Sequence, residues 1–224
     1  MDISYSEENP ICQLDAFLPP LDDTILYLHK YLLDLAYHYE HSFYNLALFS
    51  FHYIYMTILY IYLLKFHRMK VSIVNSCRQN RAPVEILTPH VYADLKTEKT
   101  QIDMFSNIAQ EVKDKHHKLV ATRDSIAHAT GINIDVKSFE RHVEEAIGVL
   151  GSLRDLSLNN LIRYSGDNFT VSTLDILNET NENEKKAKIS NWIKDFYLSL
   201  NDWKYLTNKG FIDFGEYYDF LREE

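Results

Sequence analysis

The sequence predicts an all-α protein, an up-down helical bundle with additional helices towards its carboxyl end. Apolar residues recur at steps of three and four over long stretches, which is typical of one face of a helix. The chain has only 6 glycines and 5 prolines in 224 residues, too few for the many turns of a β-sandwich or barrel. Apolar residues make up 46% of the chain and charged residues 25%, which is a globular composition.

The predicted elements fall into three regions. Residues 1–23 form an irregular arm, residues 24–164 form the bundle, and residues 165–224 form a loop and helices that pack on it. An insertion at 68–95, which contains two prolines, is expected as a loop or a short element. Gly131 and Asp135 are expected to end one helix and cap the next. The periodicity predicts helices over the following ranges: 24–40, 43–67, 97–130, 136–162 and 184–207.

The most apolar segment, Phe43–Leu64, is long enough to cross a membrane. As a helix it would measure about 33 Å, which matches a bilayer. However, it contains five tyrosines, which prefer membrane interfaces to the bilayer centre. A helix that is apolar on all sides is equally typical of the middle of a soluble bundle. We expect burial in protein, and membrane attachment is the alternative.

Charge is distributed unevenly along the chain. The net charge of −9 argues against indiscriminate coating of nucleic acid. Two cysteines and an amino terminus without a secretory signal predict a cytoplasmic protein. Residues 41–84 contain no acid, and their bases could be a solvated loop or a patch that attracts phosphate. These bases are Lys65, Arg68, Lys70, Arg78 and Arg81.

The predicted helix over 97–130 carries the residues that suggest chemistry. His116 and Arg123 lie on its apolar stripe, where a charge is costly unless it is paired or faces a cleft. Asp124 and His128 are about 40° apart around the helix, so the carboxylate can hold the imidazole in one tautomer. Arg123 and His128 are about 140° apart, so one phosphate reaches both only with a frayed last turn, an extended arginine or a second subunit. Together they suit phosphodiester cleavage, since an imidazole moves protons and a guanidinium neutralises phosphate.

The spacing by itself is weak evidence. A chain with this many arginines and histidines contains about 0.4 Arg–His pairs at this separation by chance. Either residue near a helix carboxyl end also interacts favourably with the helix dipole without any catalytic role.

The segment Arg123-Asp124-Ser125-Ile126-Ala127-His128 resembles the R-x(4–6)-H signature of the HEPN domain superfamily (higher eukaryotes and prokaryotes nucleotide-binding). In its ribonuclease members a polar residue often follows the arginine, as Asp124 does here. The likeness covers about residues 24–162 and includes the helical bundle and the motif near a helix end. Thr130 stands where one toxin subgroup has tyrosine, so the longer R-x-x-x-x-H-x-Y pattern is not met.

The resemblance implies an endoribonuclease, a hydrolase that needs no metal or cofactor and that serves as a toxin or antiphage effector. It implies a homodimer in which two motifs face one cleft, with RNA as the partner and an antitoxin or regulatory protein as a further one. Arg123 would stabilise the phosphate, His128 would be the general base or acid, and Asp124 would orient it. Further candidate RNA-binding residues are Ser125, His116 and the five bases named above.

Two other readings stay open. The bundle could be a non-catalytic HEPN-like module that binds nucleotide, RNA or a protein, or the chain could be a membrane-attached helical protein. A metal site is not expected, because His116 and His117 are adjacent and point about 100° apart on a helix, too far to chelate one ion as a pair.

Overall fold

Helices make up the architecture of the described chain. The structure, a computed structural model, describes residues 10–15, 17, 26–68, 98–105, 107–128, 131–164, 178–196, 199 and 202. No strand occurs among these residues, and the predicted all-α class is confirmed.

The helices are numbered in chain order. They are α1 (Pro10–Asp15), α2 (Leu26–Glu40), α3 (Tyr44–Arg68), α4 (Glu98–Gln101), α5 (Gln110–Ala127), α6 (Val136–Tyr164) and α7 (Glu182–Phe196), with a 3-10 turn at Ile102–Met104. α3 packs against α2, α5 and α6, and α5 and α6 also pack against each other. The second helix of the predicted series, at 43–67, therefore becomes the centre of the bundle.

α3 is central because it is apolar on nearly every side. Phe51, Tyr55 and Tyr62 are fully buried, and all three belong to the largest buried side chains among the described residues. By length and composition Tyr44–Leu63 could cross a membrane, yet 83% of its most apolar window is buried within the protein. The expectation that this segment packs inside protein agrees with this burial.

α2 and α3 are joined by a tight turn whose hydrogen bonds form a Schellman motif. The Phe43 N–H donates to the His38 carbonyl at 2.8 Å, and the Ser42 N–H donates to the Tyr39 carbonyl at 3.1 Å. Ser42 has a φ of 60°, in the left-handed region where this motif usually places glycine. The turn therefore holds a side chain in a backbone conformation that costs about 1 kcal/mol for an L-residue.

Replacing Ser42 with glycine should stabilise the protein. We expect the free energy of unfolding to rise by about 0.5 kcal/mol, since the strain is removed and part of the gain is lost to the more flexible unfolded chain. Urea denaturation checks this, with Ser42→Ala as the control that removes the hydroxyl and keeps the strained Cβ. Equal stability of the glycine and alanine variants would contradict the expectation.

The prediction of one continuous helix over 97–130 is wrong. The chain forms α4 and the 3-10 turn, breaks, and restarts as α5, which ends at Ala127. Phe105 is extended and Asn107 has a φ of 65°, a conformation that asparagine tolerates better than most residues. The break lets α4 fold back against α5, so residues before and after it are neighbours in space.

Boundary signals were more reliable at α6. The Ser138 N–H donates to the Asp135 carboxylate at 2.8 Å, which confirms the predicted cap. Gly131, with a φ of 71°, lies four residues beyond the observed end of α5. α6 buries Phe139 and Val143, which lie four residues apart on one face of the helix. The helix predicted over 184–207 is observed as α7, but it ends at Phe196 and Ser199 is not helical, so the predicted helix is too long. Residues 203–207 lie outside the described residues.

Part of the arm predicted over 1–23 is helical. α1 is a helix within the arm that was predicted to be irregular, and it packs against α6. Ile11, Leu14 and Phe17 are buried at three-residue steps, which is the pattern of one helix face.

Candidate functional site

The motif residues lie at the carboxyl end of α5. Arg123, Asp124 and Ser125 belong to its last turns, and His128 is the residue that ends it. The His128 N–H donates to the Asp124 carbonyl at 3.0 Å, which closes the final turn. The His128 side chain is exposed, and no hydrogen bond to its imidazole is found among the described residues.

Arg123 is held by carboxylates. Its guanidinium forms an ion pair with Glu98 and lies 3.2 Å from an oxygen of Asp124. The Arg123 side chain is 23% exposed. Its Nε atom is buried and has no hydrogen-bond partner among the residues that the structure describes. Arg123 was predicted to be paired or to face a cleft, and the structure shows that it is paired.

Glu98 is the centre of a polar cluster that the sequence did not reveal. The carboxylate oxygen that pairs with Arg123 also accepts a hydrogen bond from His52 Nε2 at 2.8 Å. Burial raises the pKa of Glu98, but the hydrogen bonds and charges of His52 and Arg123 outweigh it and hold that pKa below its usual value. Glu98 reaches this position because the break before α5 turns α4 back on it.

His116 is an internal residue, which corrects its assignment as a candidate RNA contact. It is fully buried, its Nε2 donates to the Glu98 carbonyl at 3.0 Å, and its Nδ1 accepts from the Tyr55 hydroxyl at 2.8 Å. Burial lowers the pKa of His116 to about 4. Its place on the apolar stripe reflects a satisfied core histidine and not an open cleft.

Asp124 was expected to orient the His128 imidazole, and it does not. Its carboxylate lies against Arg123, and among the described residues no hydrogen bond joins it to the His128 ring. The angular estimate fails here because His128 leaves the helix, with a φ of −82° and a ψ of 21°. The Ser125 hydroxyl donates to the Ala121 carbonyl at 2.9 Å within its own helix.

Lys65 does not belong to an exposed basic patch, one of the two alternatives for the bases of 41–84. Lys65 is 3% exposed, forms an ion pair with buried Asp202 and lies 4.4 Å from the centre of the Tyr62 ring. It therefore ties α3 to the carboxyl-terminal segment and cannot contact RNA, which corrects its assignment. Arg68 ends α3, and its side chain lies outside the described residues together with Lys70, Arg78 and Arg81.

Among the described residues, no group of three or more His, Cys, Asp or Glu side chains is arranged to hold a metal ion. No protein-family model, no curated protein and no solved structure matches the chain.

Proposed function

We propose that the protein is a HEPN-like, metal-independent endoribonuclease whose site is assembled from two copies of the chain. The observation that supports this most is the His128 imidazole, which is exposed at the end of the helix that also carries Arg123. An accessible imidazole without a structural partner is free to accept a proton from a substrate.

The proposed reaction uses a nucleophile from the substrate. His128 takes the proton of a ribose 2′-hydroxyl, and that oxygen forms a bond to the adjacent phosphorus while the bond from phosphorus to the 5′-oxygen breaks. The proton is then delivered to the departing 5′-oxygen. Arg123 neutralises the charge that grows on the phosphate oxygens. The products are a 2′,3′-cyclic phosphate and a 5′-hydroxyl.

Cleavage by the purified protein tests this proposal. RNA is expected to be cut in the presence of EDTA, whereas DNA of the same sequence should remain intact because it lacks the 2′-hydroxyl. Cleavage of DNA, or loss of RNA cleavage with EDTA that is restored by a divalent ion, would contradict the mechanism.

Two copies are proposed because Glu98 and Asp124 hold the Arg123 guanidinium, whereas the His128 imidazole has no hydrogen bond to any of the described residues. A two-fold dimer can place the arginine of one copy near the histidine of the other. Light scattering at micromolar concentration should give twice the chain mass of 26.4 kDa. A monomer under these conditions, with RNA absent, would count against the shared site.

A second candidate is a non-catalytic helical module that binds nucleotide, RNA or a protein. The ion pairs of Arg123 with Glu98 and Asp124 favour it, because they already neutralise the guanidinium. Binding of RNA without cleavage by either wild type or Glu98→Gln, in which the opposing charge is removed, would select this candidate. A role as a toxin or antiphage effector in the cytoplasm, with an antitoxin or regulator as a second partner, belongs to the first proposal.

A further inference from the structure

An open pocket lies where the α2–α3 turn meets the loop between α5 and α6. Its volume is about 270 Å³. One wall is the segment 42–46, and the opposite wall is Asn133 and Ile134. This loop begins directly after the motif, because His128 precedes Ile132 by four residues. Asn133 on the pocket wall is one residue further along, and five residues of chain span at most about 18 Å, so this wall lies within about 18 Å of His128.

The side chain of Asn45 joins the two walls. Its amide nitrogen donates to the Ile132 carbonyl at 3.0 Å and to the Asn133 side-chain oxygen at 3.2 Å. Its amide oxygen accepts from the Ile134 N–H at 3.1 Å. These three bonds fix the loop against the start of α3, so the pocket is formed before any ligand arrives. They also leave the amide nitrogen of Asn133 without a partner among the described residues.

The pocket is bordered by stacked aromatic rings. Phe43 is 50% exposed, and the His41 ring stacks against the Phe43 ring. The two ring centres are 6.2 Å apart, and the interplanar angle is 19°. Tyr37 in turn stacks on His41 at 4.1 Å. A hydrogen bond of 2.8 Å between His41 Nδ1 and the Tyr37 carbonyl holds the His41 ring in this position. Phe43 is therefore a supported aromatic face that remains open to solvent.

We propose that this pocket binds one unstacked nucleobase of single-stranded RNA. Phe43 would stack on the face of the base, and the free amide donors of Asn133 would meet acceptors on its edge. Aromatic faces combined with amide groups are the usual means of holding splayed-out RNA bases. The choice of RNA as the ligand rests on the proposed function, since a base held here brings the neighbouring phosphodiester bonds towards His128.

Binding is measured on the full chain carrying His128→Ala, so that cleavage does not interfere. Fluorescence anisotropy with labelled oligouridine and oligoadenosine reports the dissociation constant. Phe43→Ala is expected to weaken binding by about 5- to 150-fold, which corresponds to one lost base stack. Leu33→Ala is the matched control, because Leu33 is equally exposed at 51% on α2 but does not line the pocket. It should leave binding unchanged.

Phe43→Trp provides a readout that does not depend on cleavage. Binding should be retained, and the tryptophan emission should be quenched by RNA and by millimolar nucleoside monophosphate. The same titration of protein with Phe43 intact corrects for the two native tryptophans. Circular dichroism establishes that each variant is folded.

Several outcomes separate the pocket from the enzyme. Quenching by nucleotides in a protein that never cleaves RNA would keep the pocket and remove the ribonuclease proposal. Unchanged RNA affinity in folded Phe43→Ala would overturn the pocket, whereas the ribonuclease proposal would stand if the wild type cleaves. A Phe43→Ala protein that becomes monomeric at unchanged RNA affinity would also overturn it, because the aromatic face would then belong to a contact between copies.

Discussion

Replacing His128 with alanine is expected to lower the rate of RNA cleavage by about 10²–10⁴-fold, the range that general acid–base catalysis contributes. The substitution should leave the fold intact, because the imidazole is exposed and the backbone N–H that closes α5 is retained. Single-turnover cleavage with excess enzyme measures the effect. His117→Ala is the matched control, since this half-buried histidine lies on the same helix away from its end.

Arg123→Ala should lower the rate by a similar factor, and Asp124→Ala by less. Removing Arg123 also deprives Glu98 and His52 of a charged neighbour. The stability of the Arg123→Ala protein therefore has to be measured alongside its activity. Full cleavage by folded His128→Ala protein would remove the proposed mechanism, whatever the other variants show.

The free energy of unfolding is expected to fall by several kcal/mol as the pH drops from 7 to 4. Burial lowers the pKa of His116 and of His142 to about 4, from an ordinary value near 6.5. The unfolded chain therefore binds more protons than the folded chain between these values, and stability is lost as the pH falls through this window. One unit of pKa corresponds to about 1.4 kcal/mol, so each histidine should account for a loss of roughly 3 kcal/mol in the free energy of unfolding.

His142→Phe tests this origin directly. The His142 Nε2 atom is buried with no hydrogen-bond partner in the described part of the chain, and the ring lies edge-on to Phe51 with ring centres 5.7 Å apart, so an apolar ring can take its place. Urea denaturation at pH 7 and pH 4.5 should show a smaller loss of stability in the variant by about 2–3 kcal/mol. Val143→Ala, a buried neighbour that does not titrate, should be destabilised by the same amount at both pH values. An unchanged pH dependence in His142→Phe would assign the acid sensitivity to other groups.

The helices that could be predicted were those with a clear local signal. The apolar periodicity located α2, α3 and α6 closely, and Asp135 capped α6 as expected. The break in the helix predicted over 97–130 was missed because the apolar spacing continues through it. At that point the chain follows the preference of Asn107 for a turn, and the short elements before it still bury Ile102 and Phe105.

The site was harder to predict because its partners are distant in sequence. Glu98 precedes Arg123 by 25 residues, and Asp202 follows Lys65 by 137. Charge patterns along the chain cannot distinguish a lysine that faces solvent from one that is paired inside the fold. His116 was placed correctly on the apolar stripe, but the stripe alone could not show that Tyr55 and a backbone carbonyl satisfy its ring.

The most direct test of a site shared between two copies is complementation between inactive variants. Arg123→Ala and His128→Ala proteins are each purified, mixed and allowed to exchange subunits, and RNA cleavage is then measured. If each site takes its arginine from one copy and its histidine from the other, half of the dimers are mixed and each mixed dimer keeps one intact site. The mixture should then recover about a quarter of the wild-type activity. Subunit exchange that restores no activity above that of the separate variants would contradict the shared site.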